Sequence, residues 1–342
     1  MKHIVNWGII GLGNIAFEFA KAFHNAVNAE LIAVASKSNT KLNKFKNYFK
    51  IKDENIYNSY EDISNNQDID IFYIALPNSL HFEWVQKLIK KKKNILVEKP
   101  AFISTKEAEK IFNIKDFNKV FFSEGFMYMH HPQILDVIKM IKEGKIGKLI
   151  EMKSQFGINL LYKKKFFGLK KKKIDKNNRL FNKKLGGGVI FDLGCYTSSI
   201  SLLIASLIEN LDISKFKIED IKTEYLDNNI DVSSFAKINF DNKFYSHVSS
   251  SFTKDISGLT SIIGKDGMIT LEDSWKSKKS ILKLSGKFTE EKVYSFLKNI
   301  YTLEIENISK DILENKTEST FPGPNKKHIF LNNKLINNWI GE

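Results

Sequence analysis

IVNWGIIGLGNIAFEFAKAF, residues 4–23, decides the fold. Ile4 to Ile10 is an apolar run that suits a buried strand, and Ile15, Phe19, Ala20 and Phe23 then recur on one face of a helix. Between them Gly11, Gly13 and Ala16 make a GxGxxA pattern. At a strand-to-helix turn the first glycine permits the tight bend, the second lets backbone approach a pyrophosphate, and the small third residue lets helix pack on strand. The helix N-terminus supplies free amides to the phosphates. The stretch therefore predicts the opening of a dinucleotide-binding, doubly wound parallel sheet, with Gly11, Gly13, Asn14 and Ile15 as candidate cofactor contacts. A glycine-rich loop without a ligand is the alternative.

The rhythm continues outward. Leu31 to Ala35, Ile69 to Leu76, Asn94 to Val97 and Val120 to Phe122 read as further strands, and the continuous apolarity of 69–76 fits burial on both faces. Helices are expected over about 80–92 and 105–114, the second capped by Ser104 or Thr105. After Ser123 longer alternating strands take over, at 149–159, 221–225, 233–240 and 244–252. Helices interrupt them at about 189–207 and 302–315, and Gly264 to Gly267 reads as a hairpin turn between 261–263 and 268–271. The expectation is an α/β protein: a Rossmann domain over 1–123, then a C-terminal substrate-binding and oligomerisation domain over 124–342 with a mostly antiparallel open sheet.

A length of 342 residues also exceeds what one core comfortably serves. With 42% hydrophobic residues the composition is globular, and no apolar stretch long enough to span a bilayer is evident. Neither a membrane partner nor a signal peptide is expected. Cys195 is the only cysteine, which excludes an intrachain disulfide and a cysteine-based metal cluster and fits the cytoplasm; no metal site is expected. The net charge of +14 invites a nucleic-acid reading, but Arg179 is the only arginine among 53 basic residues. That skew, with abundant Asn, Ile and Phe, points to codon bias rather than a nucleic-acid surface. Lys90 to Lys93 closes a predicted helix, where cations complement the macrodipole.

The end of the second strand selects between nicotinamide cofactors, since an acid there bonds the ribose 2′-hydroxyl whereas hydroxyls and cations accept a 2′-phosphate. Ser36, Lys37 and Ser38 favour NADP, with NAD the alternative. Glu30 is placed before the strand, away from the ligand crevice. Glu98, Lys99 and Pro100 follow a strand at the carboxyl end of the sheet, where such folds bind ligands, so Lys99 is either a crevice cation or a surface turn residue. Gly186 to Gly188 lead into a helix carrying Asp192 and Tyr196 at i and i+4, on one face. The glycines admit a substrate or a second backbone. A tyrosine doing acid/base work near neutrality needs a cation beside it and an orienting partner, roles open to Lys99 and Asp192. Cys195 is read as a packing residue.

Taken together these motifs resemble the glucose-fructose oxidoreductase, inositol dehydrogenase and MocA family (Gfo/Idh/MocA). The matches run in order: WGIIGLGNIA at 7–16, IALPNSLH at 74–81, VEKP at 97–100, EGFMYMHHPQ at 124–133, IGKL at 146–149 and RLFNKKLGGGVIFDLGCY at 179–196. IIGKDGMITL at 262–271 and YTLEIENISKDILENK at 301–316 are also similar to the family. The resemblance implies hydride transfer between a nicotinamide and a secondary alcohol or ketone of a sugar, sugar derivative or cyclic polyol. It assigns Lys99, Asp192 and Tyr196 to catalysis, and Leu76, Pro77, Asn78, His81 and Glu98 to the nicotinamide side, His81 being equally readable as a structural histidine. Tyrosine at 196 points to the branch similar to glucose-fructose oxidoreductase and dihydrodiol dehydrogenase. Met129 stands where relatives of that branch often carry arginine. Arg179 is then a substrate or structural contact, or else an interdomain ion pair; Tyr128 and His131 would flank the pocket, and Pro132 would start a helix. The different class of function is a cofactor-binding regulator without chemistry. The lysine-rich tract at 163–184 either gathers an anionic substrate or is a solvated loop. An exposed sheet face would favour a homodimer or homotetramer.

Overall fold

The computed structural model describes residues 4–165, 168–172, 175, 178–275, 279–295 and 299–341. The chain forms two compact units. The first is Met1–His131 with Lys298–Phe330, the second Pro132–Leu297 with Leu331–Glu342.

In the first unit the chain runs β1 (Val5–Ile10), α1 (Asn14–Lys21), β2 (Ala29–Ala35), α2 (Asn39–Phe49), β3 (Ile56–Tyr57), α3 (Tyr60–Ser64), β4 (Ile71–Ile74), α4 (His81–Lys90), β5 (Asn94–Val97), α5 (Thr105–Phe112) and β6 (Phe122–Glu124). Strand order is β3-β2-β1-β4-β5-β6, every pair parallel, the order of a dinucleotide-binding sheet whose crevice opens between β1 and β4. Cores lie on both faces: Phe72, Ile74, Val85 and Leu88 on one, Trp7, Phe19 and Tyr73 on the other. Ser104 caps α5 by accepting the Glu107 N–H at 3.2 Å. The lysine run ends α4 as expected, and Lys91 and Lys93 turn back onto Ser64 Oγ (2.6 Å) and the Asn66 carbonyl (2.8 Å).

The second unit holds α6 (Pro132–Lys142), β7 (Leu149–Gly157), the ribbon β8 (Tyr162–Lys165) and β9 (Gly168–Lys171), α7 (Cys195–Ala205), then β10 (Phe216–Tyr225), β11 (Asp231–Phe240), β12 (Phe244–Ser251), β13 (Thr260–Gly264), β14 (Gly267–Glu272), β15 (Lys279–Gly286) and β16 (Glu290–Ser295). Its eight strands order as β10-β11-β12-β7-β13-β14-β15-β16, antiparallel except β12 with β7. Every residue of α7 is buried, and the hydroxyls of Thr197, Ser198 and Ser201 are satisfied inside it by donating to the carbonyls of Gly194, Cys195 and Thr197. The 183–205 segment is long and apolar enough to cross a membrane, contrary to the sequence expectation; 94% of its apolar window is buried inside the protein. Pro132 does start a helix, and the 264–267 turn does join a hairpin.

The domain boundary differs from the expected 123/124. The chain returns to the first unit through α8 (Ile300–Leu313), and α9 (Lys326–Ile340) follows. Helix α8 places Ile305 and Ile308 in the core beside Trp7, whose indole N–H donates to Ser309 Oγ at 3.0 Å. The last Rossmann strand is β6 at 122–124, two residues beyond the expected run, and Glu30 lies within β2 rather than before it. Parts of the lysine tract, at 166–167, 173–174 and 176–177, lie outside the described residues.

Candidate active site

The crevice begins at Gly11, where φ is +93°, a conformation side chains resist. A Cβ there would lie 2.7 Å from the Ala75 carbonyl oxygen and 2.7 Å from Leu76, so the glycine lets β1 and β4 close to each other at their carboxyl ends. Gly13 is the opposite case. A Cβ there would meet nothing within 4 Å, leaving open space before the first turn of α1, where Asn14 is exposed and Ile15 half-buried. Close backbone below and room above are what a pyrophosphate at a helix N-terminus requires, so the residues fit the group.

At the end of β2, Ser36 is buried and its Oγ accepts the Ser38 N–H at 3.2 Å, its own proton being available to an acceptor. Lys37 is exposed, and its ammonium stands 5.8 Å from the centre of the Tyr60 ring. Burial pushes the Tyr60 phenol up, partly offset by a hydrogen bond from the Lys37 backbone. The one acid on β2, Glu30, is exposed at its opposite end.

The turns after β4 and β5 hold the next group. Asn78 opens a short 3-10 turn, Asn78–Leu80, and Pro77 precedes it half-buried. His81 is fully buried, with Nδ1 2.9 Å from the Pro100 carbonyl oxygen and Nε2 2.9 Å from that of Leu76. It thus braces one loop against the other, the structural role that the sequence left open. Glu98 turns inward and its Oε1 accepts a hydrogen bond from the Tyr73 hydroxyl, while Lys99 is half-buried and follows in a turn with a cis Lys99-Pro100 bond. Ala101 N–H donates to Glu124 Oε1 at 2.8 Å. Tyr128 and His131 are both fully buried, and burial pushes the His131 imidazole down to about 4, so it is neutral near pH 7.

In the second unit the structure pairs Arg179 with Asp192, four residues ahead of Tyr196. The glycines admit a second backbone: a Cβ on Gly187 would lie 2.5 Å from the Arg179 carbonyl oxygen, and Gly188 N–H donates to Leu180 O at 3.0 Å. Gly188, at φ +123°, packs against Asp231, whose Oδ2 accepts the Ile190 N–H at 2.7 Å and so caps the coming helix. That helix does not start as the regular one expected. Ile190–Gly194 is a π-helical turn, and α7 begins only at Cys195. Such turns reset the angular position of side chains and recur at functional sites. Arg179 Nη2 lies 3.5 Å from Asp192 Oδ1, so this ion pair falls within one unit rather than between two. Tyr196 is 6% exposed, its ring edge-on to Phe156 at 5.5 Å and tilted against Trp275 at 5.6 Å. Cys195 is buried in packing, as expected.

Sequence reasoning missed Tyr73, Glu124, Glu304, Tyr60, Asp231 and the Phe156–Trp275 pair. Only Glu124 and Glu304 stood inside quoted motifs, and nothing in a sequence marks a glutamate as buried.

The family model described as an oxidoreductase family with an NAD-binding Rossmann fold matches residues 5–126, and the GFO/IDH/MocA C-terminal domain matches 134–270. Among curated relatives, the trans-1,2-dihydrobenzene-1,2-diol dehydrogenase of Xenopus tropicalis is 29% identical over 196 residues, 56% of this chain and 53% of the relative. The NADP-dependent D-xylose 1-dehydrogenase of Hypocrea jecorina is 30% identical over 207 residues, 57% of this chain and 51% of the relative. The chain thus spans about half the length of the curated relatives it matches. Among solved structures, an aldose-aldose oxidoreductase from Caulobacter crescentus superposes with a TM-score of 0.81 at 18% identity, covering 98% of this chain and 96% of the other. A 3-ketoreductase from Actinomadura kijaniata, in complex with NADP and TDP-benzene, gives 0.80 at 19% over the same shares. These likenesses carry the fold, and the two family models, which between them take in most of the chain, carry the membership: the chain belongs to the Gfo/Idh/MocA family.

Proposed function

We propose that this protein is an NADP-linked oxidoreductase acting on a secondary alcohol or ketone of a sugar, sugar derivative or cyclic polyol. The observation that carries the reading is one chain holding both the Gly11–Gly13 crevice and the Arg179–Asp192 pair, with Tyr196 just beyond the π-helical turn that carries Asp192. The relatives named above act on a diol and on xylose, and the xylose enzyme is NADP-dependent by name. When bound, the nicotinamide supplies or accepts the hydride. Gly11 and Gly13 seat the pyrophosphate, while Ser36 and Lys37 take the 2′-phosphate. Tyr196 moves the substrate hydroxyl proton, Asp192 and Arg179 set its surroundings, and Lys99 is the cation at the crevice of the first unit. The flanking Phe156 and Trp275 rings hold the phenol in place and keep water from its sides.

The assignment extends to a cytoplasmic protein that self-associates as a dimer or tetramer. Lone Cys195 supports the first, and the exposed Ile221, Tyr225 and Val293 on edge strands of the eight-stranded sheet support the second. Tyr196→Phe removes the acid/base and leaves the crevice intact. The expected result is a loss of about 10² to 10⁴ in kcat with an NADPH Kd nearly unchanged. A near wild-type kcat, where hydride transfer limits the rate, would move the proton elsewhere.

A further inference from the structure

The turn carrying Lys99 is fastened from the side of the first unit by buried groups. Tyr73 bonds Glu98 before it, His81 meets the Pro100 carbonyl after it, and Glu124 receives the Ala101 N–H. Glu124 differs from the others in what it leaves unused. Strand pairing sets it opposite Val97, the last residue of β5, and it is 2% exposed. Its Oε1 is taken by Ala101, but its Oε2 is buried with no hydrogen-bond partner among the described residues. A carboxylate left so would cost several kcal/mol of lost hydration, so the group keeps its proton. Burial pushes the carboxyl up to about 8; the Ala101 N–H lowers it, Glu98 adds to the rise and Lys99 opposes it. Glu98 and Lys99 are the charged groups that face it, and Tyr73, Tyr301 and Glu304 gather round Tyr73's partner Glu98.

We propose that Glu124 is a positioning residue for Lys99: it fixes the 98–101 turn through Ala101 and withholds a competing negative charge from the lysine. The proposal rests on the catalytic reading of Lys99 given above. A neutral glutamic acid accepts one backbone N–H and adds no field, and glutamine copies both properties. An ionised Glu124 would draw the ammonium toward the interior and away from the crevice. Glu124 therefore ties the reach of Lys99 to pH.

The test compares wild type, Glu124→Gln, Glu124→Ala and Lys99→Met for kcat, NADPH Kd and thermal unfolding without cofactor. Glu124→Ala should lower kcat about 10- to 100-fold, the usual effect of misplacing a reacting group by an ångström, with NADPH Kd nearly unchanged. Glu124→Gln should restore most of that loss at neutral pH. The ratio of wild-type to Gln kcat should stay flat on the acid side and fall above about pH 8, where only the wild type gains a charge, whereas the melting advantage of the Gln protein should build between about pH 4.5 and 8, where the unfolded wild type has given up the proton that the folded one keeps, and level off above. A flat ratio across that range overturns the proposal, as does a Gln variant as impaired as Ala or an Ala variant with wild-type kcat. Should the Ala variant fail to fold, the Gln ratio decides. Wild-type turnover by Lys99→Met would instead overturn the catalytic reading beneath it.

Discussion

On the proposed NADP-linked reading, cofactor choice turns on Lys37. It is exposed at the carboxyl end of β2, its ammonium is drawn over Tyr60, and the strand's only acid, Glu30, sits at the other end. A phosphate there would meet a cation and the Ser36 hydroxyl, and β2 offers no carboxylate at that end to repel it. Lys37→Asp reverses both effects. NADPH affinity should fall by about 10- to 100-fold, the worth of one charge-assisted hydrogen bond, while NADH affinity holds or improves. Fluorescence titration of each cofactor reads this, and a wild type that binds the two equally would remove the argument. This residue was legible because strand ends can be counted from the fingerprint. Glu124 was not, because burial of a polar side chain depends on neighbours far apart in the chain. His81 was half legible: its motif placed it at the crevice, but only the geometry shows its ring spanning two carbonyls.

At the scale of elements, the Gly186–Gly188 loop and the helix it starts are one device. Gly188 N–H ties back to Leu180, and Asp231 on β11 caps the π-helical turn through Ile190 N–H. A methyl group on Gly188 would run into the Asp231 carboxylate and force a positive φ on a side chain. Gly188→Ala should destabilise the second unit by about 2 kcal/mol or more, combining backbone strain with a lost cap. The expected readout is a lower midpoint for its denaturant transition, while an unchanged midpoint would show that the loop shifts freely. The helix itself was legible from its apolarity. The π turn was not, since one extra residue in a helical turn leaves no trace in hydrophobic spacing. β15, β16 and α9 escaped for a different reason. β15 runs from a lysine to a glycine and β16, the edge strand, opens on two glutamates and a lysine, while α9 reads HIFLNNKLINNWI, where asparagine weakens the helical signal even though Leu331, Leu335, Ile336 and Trp339 are buried.

For the molecule as a whole, pH dependence follows from buried ionisable groups, five of them in the first unit. Burial pushes His130, His131 and His328 down to about 4, so between there and their ordinary value near 6.5 the unfolded chain binds protons that the folded one refuses. These groups make stability rise with pH across that window. Burial raises Glu124 to about 8 and Glu304 well above its ordinary value, so above about 4.5 the folded chain retains protons the unfolded one gives up. These make stability fall with rising pH. Each uncompensated proton is worth about 1.4 kcal/mol per pH unit. The three histidines outweigh the two glutamates up to about 6.5 and then drop out, so the unit should be most stable near there, far from the sequence pI of 9.4. Thermal unfolding followed from about pH 4.5 to 9 would show the maximum. A profile that stays flat from about pH 7 to 8 would mean that the glutamates ionise in the folded state at their ordinary values.

The return of α8 to the first unit bears on how the protein is made. Ribosomal synthesis delivers β1 to β6 long before Ile305 and Ile308, which cover Trp7. At about 5 to 20 residues per second, the intervening segment 132–297 takes on the order of ten seconds or more to emerge. Throughout that interval the nascent sheet carries an uncovered apolar face, and Trp7 lacks the Ser309 oxygen its indole will bond. The newborn chain is therefore a natural client for a chaperone that shields apolar surface until residue 313 is free of the exit tunnel.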